Sequence, residues 1–477
     1  MFSPTDTIVA IATPGGRGGI GVVRISGPRA SDVARALLTT ATPILPRYAT
    51  HTFARTSRAG DVVGAQADSL PVARAIDEVV ATYFPAPHSY TAEDVVEISG
   101  HGSPVLLREI VAAAISAGAR LAEPGEFTFR AFLNGRLDLV QAEAVADLVD
   151  AVTPLQARVA FDQLEGTLTG AITALDAQLF DLVTRLEASL DFPDEGYHFI
   201  QPVEVGDGLR AVRDGIDALL GSACAGRMIR EGRQIAIAGK PNVGKSTLFN
   251  WLVGTDRAIV NAMPGTTRDL LRETIDFEGV RLGLVDTAGI RHVDDEVERE
   301  GVARAHGARG VADLVLVVLD GSRPLEQEDR DLLAATEGAP RVVVVNKTDL
   351  WEALAAFAAS GSFGGPRALG EGAVHVSLRT GAGLDELRAA IREALEMEAV
   401  PRDEPMVTNL RQETLLRAAH ESIARALGGV EAAGEALNEE LVLADLAAAR
   451  QAFEEVAGKR TSEEVSRAIF ARFCIGK

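Results

Sequence analysis

The run GKPNVGKS, Gly239 to Ser246, sets two glycines, a lysine and a hydroxyl at the spacing of a phosphate-cradling loop. Glycines there let successive backbone N–H groups turn towards phosphate oxygens. Lys245 would reach the β- and γ-phosphates as the catalytic cation, and Ser246 would coordinate Mg2+. Asn242, Val243, Gly244 and Thr247 complete the loop. The stretch NAMPGTTRD follows, with Asn261, Ala262, Met263, Pro264, Gly265, Thr266 and Thr267. Thr267 is the second expected Mg2+ ligand, in a loop able to order and release. DTAG comes after an apolar run: Asp286 would hold the magnesium through its hydration shell, and Gly289, beyond Thr287 and Ala288, would offer an N–H to the γ-phosphate. NKTD, with Asn346, Lys347 and Asp349, also follows an apolar run. A carboxylate at Asp349 would accept from the guanine N1–H and the exocyclic amine, a donor pair that adenine lacks. The implied nucleotide is therefore GTP. SLRTG places Ser377, Leu378 and Arg379 where a guanine-supporting loop belongs, with leucine in the position where alanine is usual.

Two expected groups are missing from this set. The residue after DTAG is Ile290, which cannot orient a water molecule as a glutamine would. The following RHVDDEVERE offers Asp294, Asp295, Glu296, Glu298 and Glu300, which from composition alone look like a solvated helix face. No arginine finger is evident. Asn242 is placed to aim an amide oxygen at a monovalent cation beside the phosphates, and the loop NAMPGTT, Asn261 to Thr267, could add backbone carbonyls. K+ held there would stand in for the missing guanidinium. The plain alternative is that Asn242 serves only the shape of its loop.

These motifs need a sheet with helices to carry them. QIAIAGK, RLGLVDTAG, DLVLVVLDG and RVVVVNKTD are near-continuous apolar runs, the pattern of parallel strands buried on both faces. They lie between Arg233 and about Met397. Ahead of them, TIVAIAT, GVVRIS, VVATYF and DVVEISG read as strands, and PRASDVARALL and PVLLREIVAAAISAGA as helices ending near Gly118. From about Leu139 to Arg230, and again from Glu413 to Phe473, helical spacing dominates. TSEE at Thr461 reads as a capping box. The phosphate loop thus begins late because an α/β domain is inserted into a helical one; three domains in a row is the rival arrangement. The chain of 477 residues divides as 1–122, 123–231, 232–397 and 398–477, a multidomain α/β protein with an N-terminal α+β part, a discontinuous helical part and an inserted, mainly parallel sheet.

The net charge of −21 argues against a protein that coats nucleic acid through its own lysines and arginines. Cys224 and Cys474 are the only cysteines, so the reducing cytoplasm is the expected location. Cys224 reads as core. No run of apolar residues is long enough to span a membrane, and the N-terminus does not resemble a secretory leader.

Several segments together resemble one family, the bacterial tRNA modification GTPases MnmE (TrmE), of the TrmE-Era-EngA-YihA-Septin-like group. They are DTIVAIATPGGRGGIGVVRISG, PHSYTAEDVVEISGHGS, EPGEFTFRAFLNGRLDLVQAEAVADLVDA, the nucleotide motifs and the terminal FCIGK. The resemblance implies an N-terminal domain that dimerises and binds a tetrahydrofolate derivative in its 5-formyl or methylene form, and a Ras-like GTPase domain stimulated by K+. It implies a homodimer that works with the flavoprotein MnmG (GidA), as a heterotetramer, on the wobble uridine of certain tRNAs, away from any membrane. By the same resemblance Glu298 orients the hydrolytic water, Asn242, Asn261, Met263 and Thr266 hold K+, and Arg24, Glu97, Arg136 and Lys477 bind folate. By residue type alone, Arg24 and Glu97 would also pass for a surface pair. Cys474, in CIGK, reads either as a small buried hydrophobe or as a catalytic thiol near the folate, with Lys477 favouring its thiolate. Two other functions compete: a ribosome-assembly GTPase, which would need a basic RNA-binding face, and a self-contained folate enzyme with GTP as regulator.

Overall fold

Period-two alternation in GIGVVRIS and EVVATYF builds the first sheet of the computed structural model. The structure describes residues 6–40, 42–56, 74–191, 200–255, 257–258, 272–286, 312–350, 372–397, 404–433, 438–460, 469–470, 473 and 476. Contacts divide the chain into two units, one of Met1–Ala146, Gln163–Gly206 and Glu421–Lys477, the other of Asp147–Asp162 and Asp207–His420.

The first unit holds strands β1 (Ile8–Ile11), β2 (Gly18–Ser26), β3 (Thr50–Arg55), β4 (Ala75–Phe84), β5 (Val95–Gly102) and β6 (Arg120–Leu121), in the order β3-β4-β5-β2-β1-β6. All pairings are antiparallel except β1 with β6. Helices α1 (Ala30–Leu37) and α2 (Pro104–Ser116) cover one face, over Val9, Val23, Ile25, Ala81, Val96 and Ile98. Pro104 opens α2 where a missing N–H costs nothing. Gly118 follows its cap at φ 103°, a backbone that favours glycine. The opposite face is mixed: Ile8 and Ala10 are buried there against Phe127, and Arg24 on β2 stands opposite Glu97 on β5, which stands opposite Thr82 on β4. Strand β3 was not apparent from the sequence. Only Thr52 and Ala54 of THTFAR point inward, and it is an edge strand.

EPGEFTFRAFLNG forms α3 (Glu126–Leu133), followed by α4 (Leu139–Asp150). Glu126 and Arg130 are almost wholly buried, and Glu126 is paired with Arg120 at 2.7 Å and with Arg130 at 3.0 Å. Helices α5 (Pro154–Leu164), α6 (Thr167–Asp191), α7 (Pro202–Gly221) and α8 (Ala223–Glu231) precede the phosphate loop. Helices ahead of the inserted sheet pack on helices behind it, within each unit. In the first unit, Arg450 of α13 (Glu439–Val456) pairs with Asp176 of α6 at 2.8 Å and lies over the Phe180 ring. In the second, Arg227 of α8 pairs at 3.1 Å with Glu413 of α12 (Leu410–Ala433). Cys224 is exposed, contrary to the expectation of a core position. Helix α8 buries Ala223, Gly226, Met228 and Ile229, and residue 224 falls off that stripe.

The inserted sheet belongs to the second unit. Its strands are β7 (Arg233–Ala238), β8 (Arg257–Ala258), β9 (Arg272–Phe277), β10 (Val280–Asp286), β11 (Leu314–Asp320), β12 (Arg341–Asn346) and β13 (Ala373–His375). Their order is β13-β12-β11-β7-β10-β9-β8. β10, β7, β11, β12 and β13 run parallel; β9 and β8 are antiparallel additions at one edge. Every residue of β11 is buried, as its unbroken LVLVVLD predicts. Helices α9 (Lys245–Thr255) and α11 (Leu384–Ala394) contribute Leu248, Leu252, Leu387 and Ile391 to the core on one face, and α10 (Gln327–Ala335) contributes Leu332 to the core on the other. Each such side chain contributes about 1.5–3 kcal/mol by leaving water.

Segment TPLQ ties α5 to this sheet. The Thr153 hydroxyl accepts from the Gln156 N–H at 3.2 Å, and the Gln156 side chain accepts from the Thr153 N–H at 3.2 Å, a closed capping box. The same hydroxyl donates to the Gly279 carbonyl, in the β9–β10 turn, at 2.7 Å. No helix among the described residues is long and apolar enough to cross a membrane.

Candidate functional site

Strand β7 lies where the chain path reverses, with β10 on one side and β11 on the other. Ligands of open parallel sheets bind beyond the strand ends at such a switch point. The candidate residues that the structure describes gather there. The phosphate loop leaves the end of β7, Asp286 ends β10, Asp320 ends β11, Asn346 ends β12, and Ser377 follows β13.

The loop's shape depends on its two glycines. Gly239 has φ 158°, and a Cβ there would meet the Val318 carbonyl oxygen at 2.5 Å. Gly244 has φ 110°, and a Cβ there would lie 2.3 Å from Asn346 Nδ2. Both positions form a cradle that any side chain would fill. Lys245 Nζ donates to the carbonyls of Gly239 at 2.8 Å and Lys240 at 2.6 Å, bending over its own loop. Asn242 sits at φ 64°, a backbone that asparagine tolerates, with its side chain exposed. Ser246 and Thr247 are exposed at the first turn of α9. Sequence reasoning gave Lys240 no role, yet its ammonium bridges Glu326 at 2.6 Å and Asp329 at 2.9 Å, at the start of α10. Burial pushes its pKa down, but the two carboxylates outweigh this and leave it raised.

The base-side motifs interlock. Asn346 Nδ2 donates to the Val243 carbonyl at 2.9 Å, and Asn346 Oδ1 accepts from the Leu378 N–H at 3.1 Å. Ser377 Oγ donates to Asp349 Oδ1 at 2.7 Å, fixing that carboxylate, and Arg379 lies 3.9 Å from its other oxygen. Leu378 serves through its backbone N–H while its side chain packs on the core, so the departure from alanine leaves the contact intact. Lys347 sits at φ 68° and reaches Asp320 at 2.7 Å. Burial pushes the Asp320 carboxyl up, and Lys347 with Ser322 more than reverses this. Asn261, Ala262, Met263, Pro264, Gly265, Thr266 and Thr267, then Thr287, Ala288, Gly289 and Glu298, lie outside the described residues. So do Cys474, Lys477 and the TSEE box.

A second site lies on the mixed face of the first unit's sheet. A cavity of about 590 Å3 is lined by Arg24, Glu97 and Arg136 together with Arg47, His88 and Tyr90. Arg24 binds Glu97 Oε1 through Nε and Nη2, both at 2.9 Å, and lies 4.7 Å over the Tyr90 ring. Arg136 donates to the Tyr90 carbonyl at 2.6 Å and lies 5.5 Å over the same ring. Glu93, the neighbouring carboxylate, is engaged elsewhere, with Arg130 at 3.2 Å and Ser26 at 2.8 Å. The pocket wall is pinned from α3: Thr128 bonds the Tyr90 hydroxyl at 2.8 Å, and Asn134, beside that helix, donates to the Thr91 carbonyl at 2.7 Å. The EPGEFTFRAFLNG block thus has a physical task that its sequence did not disclose.

A phosphate loop at the switch point, interlocked with NKTD and SLRTG, defines a P-loop GTPase domain within a multidomain α/β chain. The family model described as MnmE helical domain matches residues 139–474, and that described as GTP-binding protein TrmE N-terminus matches residues 7–136. The tRNA modification GTPase MnmE of Koribacter versatilis is 41% identical over 481 residues, covering 99% of both chains. That of Symbiobacterium thermophilum is 44% identical over 476 residues, again 99% of both. That of Burkholderia thailandensis is 42% identical over 486 residues, 100% of both. The chain belongs to the MnmE (TrmE) family of tRNA modification GTPases.

Proposed function

We propose that this protein hydrolyses GTP while modifying tRNA, adding an aminomethyl or carboxymethylaminomethyl group at carbon 5 of the wobble uridine, position 34, together with the flavoprotein MnmG (GidA). The observation that carries the reading is the clasp of Asn346 on both the phosphate loop and the SLRTG loop, in a chain that matches the family end to end. Asp349 reads guanine, Lys245 takes the phosphate charge, and Ser246 with Thr267 would hold Mg2+, which supplies charge neutralisation when bound. Asn242, Asn261, Met263 and Thr266 would hold K+, and Glu298 orients the water.

The cavity around Arg24, Glu97 and Arg136 fits a tetrahydrofolate derivative in size and in chemistry. Glu97 offers an acceptor to the amines of a pterin, and arginines suit an acidic tail. Lys477 and Cys474 complete that site by family resemblance. The protein works in the cytoplasm as a homodimer, divided at residues 122, 231 and 397 into the N-terminal, helical, GTPase and second helical parts. The charge of −21 supports a partner that supplies much of the grip on tRNA.

The deciding experiment is a mass-spectrometric nucleoside profile of tRNA from cells lacking this protein and from cells with it restored. Loss and recovery of a 5-substituted uridine is expected. An unchanged profile would overturn the reading.

A further inference from the structure

The pocket on the first unit's sheet contains more positive charge than its one carboxylate can balance. Arg24, Arg47 and Arg136 line it, and Glu97 is the one acidic side chain among the described lining residues. Arg24 is already matched by Glu97. Arg136 is held over Tyr90, near Arg24. Arg47 stands apart from both. Its Nη2 donates to the His88 carbonyl at 2.7 Å, which aims the guanidinium but leaves its charge whole.

Strand register places Arg47 at the far end of the pocket. Arg24, Glu97 and Thr82 form one row across β2, β5 and β4. Tyr83, next along β4, bridges to Pro46 on its outer side, and the Arg47 N–H donates to the Tyr83 carbonyl at 2.7 Å. The backbone of Arg47 therefore lies two strand spacings from that of Glu97, about 10 Å. The turn is fixed, with Arg47 at φ 59° and Tyr48 N–H bonded to the Leu45 carbonyl at 3.3 Å. A ligand that touches both ends must be elongated, rich in N–H donors at the Glu97 end and anionic at the other.

We propose that Arg47 is a specificity-determining residue of this pocket and receives a carboxylate at the far end of its ligand. The inference rests on the folate reading above, and for that ligand the carboxylate is on the glutamyl tail. The charge of Arg47, with two N–H groups presented as a fork, selects tailed ligands over their tailless counterparts.

The test is equilibrium binding to the full-length protein of 5-formyltetrahydrofolate and of the same compound without its glutamate, 5-formyltetrahydropteroate. Arg47→Asn suits the position, because asparagine tolerates its backbone. The variant is expected to weaken the glutamyl compound about tenfold and to leave the tailless one within about twofold. Arg47→Lys, which keeps the charge without the fork, should lose less. Equal weakening of both compounds, or of neither, would overturn the role of Arg47 while the folate reading stands. If the wild-type protein binds neither compound, the folate reading fails, and the inference with it.

Discussion

The side-chain amide of Asn346 joins two loops that lie far apart in sequence, donating to Val243 at 2.9 Å and accepting from Leu378 at 3.1 Å. Asn346 is buried, and Gly244 leaves just enough room for it. Removing it strands a buried carbonyl and a backbone N–H at once. Asn346→Ala should therefore weaken GTP and GDP alike, by about 30-fold for a loss near 2 kcal/mol. Titration with a fluorescent nucleotide measures this, and unchanged affinity for either nucleotide would count against the clasp.

Asp349 is held in place by Ser377 and needs donors from the base. An amide in its place keeps one acceptor and presents a donor to the position where guanine carries its amine. Asp349→Asn should lose GTP by at least about 100-fold and favour xanthosine triphosphate, which has an oxygen there. Competition between the two nucleotides decides it; retained preference for GTP would remove Asp349 from base reading.

Asn242 sits at φ 64° with its amide exposed beside the phosphate cradle. If it holds K+, wild-type hydrolysis should be faster in K+ than in Na+, and Asn242→Ala should abolish the difference. Equal wild-type rates in the two salts would sink the idea.

Glu298 should act on the water and leave the nucleotide alone. Glu298→Ala is expected to bind GTP normally and to hydrolyse it about 100-fold more slowly, the low end for a lost general base. Single-turnover measurements separate the two effects, and normal turnover would return Glu298 to a solvated helix face.

Burial pushes the Glu126 carboxyl up, but Arg120, the Glu123 N–H and Arg130 pull it down further, leaving it below the usual carboxylate range. A lowered native value stabilises the fold above the unfolded glutamate pKa of about 4.3, and this is lost as the pH falls through the native value. Glu126→Gln leaves two arginines short of a partner and should destabilise its unit by about 3 kcal/mol at neutral pH. The gap to wild type should narrow below about pH 4. Thermal unfolding across that range would show it, and a gap independent of pH would contradict the assignment.

GKPNVGKS and NKTD were legible because each has a fixed loop chemistry and follows a largely buried strand, β7 and β12. β9 was not, since RETIDF mixes charged residues into an antiparallel strand near the edge, and β13 is only three residues long. The second pocket was legible only through resemblance. Its residues come from separate strands and turns, and nothing local in Arg47 or Tyr90 marks them as neighbours. Glu97 stands on β5 and Glu93 in the bend before it, and they are told apart by the partner each has found, which a linear reading does not contain. Cys224 went wrong by a single step around a helix.

The bond from Thr153 to the Gly279 carbonyl has a mechanical meaning. β10 ends at Asp286, beside the end of β7 from which the phosphate loop leaves, so the β9–β10 hairpin is a rod with one end at that loop. Its far tip is hooked by the hydroxyl of Thr153, the residue that caps α5, and Glu278 in the same turn pairs with Arg392 of α11 at 2.8 Å. If the rod slides on the neighbouring strands, it must either snap that hook or drag the start of α5 with it. A shift of the hairpin along its neighbours would therefore be felt both at the start of α5 and at the Glu278–Arg392 pair.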